Sequence, residues 1–374
     1  MGYVLSVFLT CSSWLRGNSV RKPPGPLVGA MLWGWMWVLT WANTGNPDLQ
    51  GYEYLYDSDL STEGIGPGYW LLLDTARHAG ATYPVFVALT AGFGFSLMAM
   101  VAWRFTERFS LVAALYFVYP FVYDAIQVRN LLAMSFVILG FACLVTIRRG
   151  GTVAFLGLVA IGMTIHVTMV VFLVVFAVMG RVGSVLARGL ALLGFFGTVL
   201  AIIEPGLVRV VGGALVARLG VTRFEAYFET DARVGVVMFL TLHLLTVLVL
   251  RETLKVVVIG SPGNMVRPSR VELLRVRYVA AMYRTSLALT LVFPMVALNS
   301  NMWRLFRDTW ILYAIAFVIG VDMERGKRQR RFLSLAVGGV TALHCLLPWG
   351  LQFEHVVRPI LEQNWILDYL QGLL

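Results

Sequence analysis

Apolar runs recur along almost the whole chain, each closed by a short polar or charged stretch. Their spacing predicts about twelve spans, near 2–15, 27–43, 83–103, 109–124, 131–147, 152–166, 167–180, 186–203, 234–250, 278–298, 305–321 and 332–349. Several are shorter than the ~20 residues a perpendicular helix needs to cross hydrocarbon, so tilt, bilayer thinning or half-helices are expected. In lipid every backbone group must be satisfied internally, and the alternating pattern of a membrane barrel is absent. The expected fold class is therefore all-α, a polytopic integral membrane helical bundle.

The connections alternate in charge. One set is basic: "RGNSVRKPPG", Arg104 with Arg108, Arg148 with Arg149, Arg181 with Arg188, Arg251 through Arg277, and "ERGKRQRR". The other is polar or acidic: "NTGNPDLQGYEYLYDSDLSTEG", the turn at Asp124–Asn130, the turn at His166, "FEAYFETDAR" and "NSNMWR". Basic loops stay cytoplasmic. The alternation predicts inner loops near Lys22, Arg149, Arg267 and Lys327 and outer loops near Ser61 and Glu229, with both termini outside. It also puts Asp48, Arg129, His166 and Arg304 on one side, the extracytoplasmic one. The organisation expected is a single transmembrane domain, 1–350, whose outer loops 44–82 and 204–233 cover a cavity, then an outer tail, 351–374. Within the first loop, "GYWLLLDTARHAG" is too short and polar to cross, and Trp70, Leu71, Leu73 and Ala76 suit a helix lying at the interface. "VRVVGGALVARLG" in the second loop reads the same way. No internal repeat is visible.

Composition agrees: of 374 residues 59% are hydrophobic and 13% charged, against about 25% charged in soluble domains. The net charge of +10 does not point to nucleic acid, because it is gathered in the short loops between apolar runs. Cys11, Cys143 and Cys345 stand far apart inside apolar segments and read as small hydrophobes. The first run, "YVLSVFLTCSSWL", has no basic region ahead of it, so a cleaved signal peptide is not expected.

Candidate chemistry starts with "YDAIQVRNLLAMSF", where Arg129 has apolar chain on both sides. An arginine at the centre of a membrane helix costs roughly 2.5–3.5 kcal/mol on insertion scales. It either snorkels to the interface or, with Gln127 and Asn130, meets a phosphate or diphosphate that its fork can clamp. Asp48, Tyr52 and Tyr56 follow an Asn46–Pro47 helix start at i, i+4, i+8 and share one face. A carboxylate beside aromatic rings suits a sugar cleft, where rings stack on apolar sugar faces; a solvated loop with interfacial tyrosines is the alternative. His166 ends a short hairpin and is either packed or a general base or substrate donor. Arg304 and Arg307, one turn apart, open a late span and offer a second cationic contact. There is no metal-ligand spacing, no G-x-S-x-G and no phosphate-cradling glycine loop, so neither a metal nor another cofactor is expected. Chemistry would run on an activated substrate from the membrane.

The D-x3-Y-x3-Y loop, "GPGY", "QVRNLLA", "IHVT" and "RLFRD" occur in that order, and together they resemble the EpsG-type, Wzy-like family of bacterial exopolysaccharide polymerases. The likeness is strongest over residues 45–180 and extends more weakly to about 320. A glutamate often precedes the P-G-Y element in that family; Gly66 stands there instead, with Glu63 three residues upstream. The resemblance implies a GT-C-like bundle in the bacterial cytoplasmic membrane that joins oligosaccharide repeat units at the outer face. Its donor and acceptor would be polyprenyl-diphosphate-linked oligosaccharides, and a chain-length regulator or other polysaccharide-assembly protein would be a partner. Asp48, His166 and Arg129 would be catalytic; Tyr52, Tyr56, Gln127, Asn130, Arg304 and Arg307 would bind substrate. Two other classes stay open: a flippase of lipid-linked sugars, whose cations would line a path through the bilayer midplane, and another lipid-dependent transferase, adding single sugars or acyl groups.

Overall fold

The computed structural model describes residues 2–17, 27–58, 66–147, 149–210, 233–260, 269–324 and 326–372. Lys22, Ser61, Glu63, Arg148, Glu229, Arg267 and most of the 204–233 loop lie outside them. The described regular structure is helical; an isolated bridge between Asn43 and Asn364 is the one strand-like pairing within it.

Five helices in the described residues are long and apolar enough to cross a membrane: Tyr83–Phe105, Val128–Thr146, Gly183–Ile203, Arg270–Leu298 and Arg328–Leu351. The expected count of about twelve is thereby corrected, although a multi-pass helical bundle stands. The run at 234–250 lies within the long helix Arg233–Gly260, the remaining apolar runs fold as shorter helices, and burial explains two of these. Helix α6 (Phe109–Val118) buries every residue from Phe109 to Phe117, and the helix Trp310–Met323 buries every position but Asp322. A helix that is apolar all round belongs in the centre of a bundle. These two are wrapped by protein, so neither needs the length that hydrocarbon imposes. Asp322, near a helix end, pairs with Arg108.

Four further features place the site. Helices α1 (Gly2–Gly17) and α2 (Leu27–Trp41) pack on α6, and α2 delivers the chain to the 44–82 loop. In that loop α3 (Leu49–Asp57) and α4 (Pro67–His78) lie together, held by Arg77 Nη1, which donates to the Ser58 carbonyl at 2.8 Å. The start of α5 (Tyr83–Phe105) is tied to α3 by Tyr56, whose hydroxyl donates to the Ala81 carbonyl at 2.6 Å and whose ring packs on Tyr83 and Phe86. The C-terminal segment is docked as well. Asn43 Nδ2 donates to the carbonyls of Pro359 (2.8 Å) and Gln363 (2.9 Å), and Val357, Ile360 and Leu361 are fully buried.

Candidate functional site

Three helical runs break, and each break lies at or shortly before a singled-out residue. The first is Gln127, with φ −107° and ψ 59°, which separates α7 (Phe121–Ile126) from α8 (Val128–Thr146). Arg129 therefore sits in the first turn of α8, where backbone N–H groups and the helix dipole already favour an anion. At the second break, His166 caps α9 (Gly151–Ile165) before the chain continues as a 3-10 turn over Val167–Phe172. The third is Asn299, whose Oδ1 accepts from the Asn301 N–H at 2.9 Å; one 3-10 turn later Arg304 opens the short helix Arg304–Asp308.

The fold brings these together with α3 of the 44–82 loop. Tyr52 lies within electrostatic reach of Arg129, Asp48 and Arg304, and His166 within reach of both arginines. Arg129 is half-buried, its guanidinium 5.9 Å from the centre of the Tyr69 ring, and its Nε is buried without a hydrogen-bond partner. No carboxylate among the described residues pairs with it. His166 is 7% exposed; its Nδ1 accepts from the Thr168 N–H at 3.4 Å and lies 2.6 Å from the Thr168 hydroxyl. An Nδ1 that accepts puts the neutral ring's proton on Nε2, which makes that atom a donor. Asp48 precedes α3 and makes no side-chain cap; its N–H donates to Asn46 Oδ1 at 2.8 Å. The carboxyl keeps solvent contact, yet desolvation by its surroundings raises its pKa above the ordinary 3.8.

Tyr56, Gln127, Asn130 and Arg307 occupy different surroundings. Tyr56 is buried and its hydroxyl is engaged by Ala81. Arg307 is 6% exposed between two buried carboxylates, with Nε 3.6 Å from Asp124 Oδ1 and Nη2 3.2 Å from Asp308 Oδ1. It also donates to Gln127 Oε1 at 2.7 Å, and its guanidinium stands 5.0 Å from the centre of the Tyr123 ring. Asn130 Nδ2 donates to Asp308 Oδ2, and the Tyr116 hydroxyl donates to Asp124 Oδ2 at 2.6 Å. So Asp124, five residues before Arg129, meets Arg307 and not its sequence neighbour.

Sequence reading did not single out Tyr69, Asp124 or Asp308. Asp124 had a usable signal, an acid inside an apolar stretch beside a basic one. Tyr69 had none beyond its place in "GPGY". That element has a steric role: a Cβ on Gly66 would run into the Thr164 carbonyl oxygen and lie 2.8 Å from that of Ile165. The start of α4 thus presses on the chain just before His166, which explains why a carboxylate-bearing residue is not accommodated there. Gly66→Ala should therefore lower the thermal midpoint of the purified protein. An unchanged midpoint would show that this approach can relax.

Residues 31–319 match the EpsG family over most of the chain. The chain belongs to the EpsG family. It is a family of Wzy-like exopolysaccharide polymerases, and membership supports an enzymatic role at the membrane. No curated protein and no solved structure matches this EpsG-family chain. Among its described residues no group of three or more His, Cys, Asp or Glu side chains could hold a metal ion.

Proposed function

We propose that this EpsG-family protein is a glycosyltransferase that joins polyprenyl-diphosphate-linked oligosaccharides at the outer face of the bacterial cytoplasmic membrane. One observation carries the reading: Arg129, half-buried in the first turn of a helix, lacks a carboxylate partner among the described residues and shares its surroundings with Arg304, His166, Tyr52 and Asp48. A desolvated cation so placed calls for an anion from outside the chain.

In the reaction, an acceptor hydroxyl oxygen attacks the donor's anomeric carbon. The bond from that carbon to the diphosphate oxygen breaks, and the diphosphate leaves with the electron pair. Arg129 and Arg304 hold the diphosphate, where fixed cations matched to developing charge act without reorganisation. Tyr52 and Asp48 face the sugar. Asp48 takes the hydroxyl proton, a task for which a raised pKa fits better than an ordinary carboxylate. His166 donates from Nε2 to a substrate oxygen. Arg307, with Gln127 and Asn130, holds the break before Arg129 in place through its two carboxylates.

The test is transfer in right-side-out membrane vesicles supplied with a lipid-diphosphate oligosaccharide, read as polymer length and released polyprenyl diphosphate. Wild-type protein should give both products. The acid limb of kcat/KM should lie above the ordinary carboxylate value of 3.8, because Asp48 works only when ionised and its pKa is raised. Asp48→Asn should remove that limb and lower the rate by about a hundredfold, the usual worth of a positioned base. A lipid-diphosphate sugar that only crosses the membrane, with no new glycosidic bond, would defeat the reading.

A further inference from the structure

An apolar groove of about 440 Å³ opens sideways between α4, α5, α8 and α9. Its floor is buried, with Leu132 at 2% and Ile165 at 3% exposure, and its rim faces outward, with Leu89 at 67%, Phe93 at 49% and Ile161 at 45%. The lining is overwhelmingly apolar, unlike the charged cluster nearby.

Three walls of the groove are direct continuations of that cluster. Gly68 in the wall precedes Tyr69, whose ring lies beside Arg129. Leu132 follows Arg129 by one turn on α8, and residues three apart share a helix face. Ile165 precedes His166. The groove is thus the apolar extension of a cationic cluster, on the flank of the bundle that lipid reaches.

We infer that this groove binds the first isoprene units of a polyprenyl diphosphate, with the diphosphate on Arg129. This deepens the proposed function and rests on it for the identity of the headgroup. Charge complementarity selects the occupant: the ligand needs a compact, multiply charged anion joined directly to a bulky apolar chain. A diphosphate ester of a branched isoprenoid has that form. A glycerophospholipid puts a polar glycerol diester between its phosphate and its chains. The groove takes only the start of a long tail, so the remainder lies in the outer leaflet.

The probe is a polyprenyl diphosphate carrying a diazirine in its second isoprene unit, photolysed with the purified full-length protein in phosphatidylglycerol-containing nanodiscs. Crosslinks are expected on peptides holding Leu89, Phe93, Leu132 or Ile161, and excess unlabelled polyprenyl diphosphate should suppress them while added phosphatidylglycerol should not. A Leu89→Trp/Ile161→Trp variant fills the groove from two lipid-facing rim positions where bulk costs the fold little. It should lower that crosslinking by at least about tenfold. Crosslinks mapping elsewhere, equal suppression by phosphatidylglycerol, or undiminished labelling of a monodisperse filled variant would each overturn the inference. Glycosyl transfer is scored separately on the same preparation. Labelled groove peptides without transfer would leave the lipid site standing and remove the reaction. Transfer without groove labelling would do the reverse.

Discussion

Arg129→Lys should leave the protein inserted and folded and cut glycosyl transfer by an order of magnitude or more, at about 1.4 kcal/mol per tenfold. The substitution keeps the charge and changes its shape. A guanidinium presents a planar fork that meets two diphosphate oxygens at once, whereas an ammonium is a point charge with a tighter hydration shell. The side chain here is half-buried and set against Tyr69, so lysine also gives up the broad cation–aromatic contact. A residue that only snorkels to the interface would tolerate lysine, since either chain reaches water. The measurement is kcat and KM with purified protein and a lipid-diphosphate oligosaccharide, alongside the thermal midpoint. Wild-type kinetics in Arg129→Lys would sink the diphosphate clamp. Unchanged stability with lost rate would separate the clamp from a structural role.

Arg307→Met should do the opposite, lowering stability far more than an exposed arginine would. Removing one partner of a buried ion pair costs about 3–5 kcal/mol, because the remaining charge stays desolvated. Here the loss strands two carboxylates, Asp124 at 4% and Asp308 at 4% exposure, and also removes the donor to Gln127. The expected result is a sharply reduced thermal midpoint and poor accumulation in the membrane. Combining it with Asp124→Asn and Asp308→Asn removes the stranded charges and should recover most of the stability. The recovered triple variant then answers a second question. Transfer activity should return if Arg307 acts by holding the Gln127 break in place. It should stay lost in a fully stable triple variant if Arg307 itself touches the substrate. Wild-type stability in the single variant would show that the three charges do not depend on one another.

Membrane residence and the all-helical class were determined by the sequence alone, for a simple physical reason. Backbone groups in lipid have few ways to be satisfied, so apolar runs of this density mean helices. Family membership was legible from motif order, since "GPGY", "QVRNLLA" and "IHVT" are local stretches that can be read in sequence without knowing the packing around them. The number of spanning helices was not legible. Hydropathy does not distinguish a helix in lipid from one surrounded by other helices, and α6 and Trp310–Met323 are of the second kind. Pairing of charge was also decided by tertiary structure. Asp124 lies near Arg129 along the chain, yet the break at Gln127 separates them, and Asp124 turns to Arg307 from a distant segment. Arg307 and Arg304 look alike in "RLFRD", one turn apart in the same short helix, and the sequence does not separate their surroundings. One is enclosed between carboxylates, while the other joins Arg129 within reach of Tyr52 and His166. Which acids enclose Arg307 is settled by which helices pack together, because an ion pair forms across space and leaves no period in the sequence.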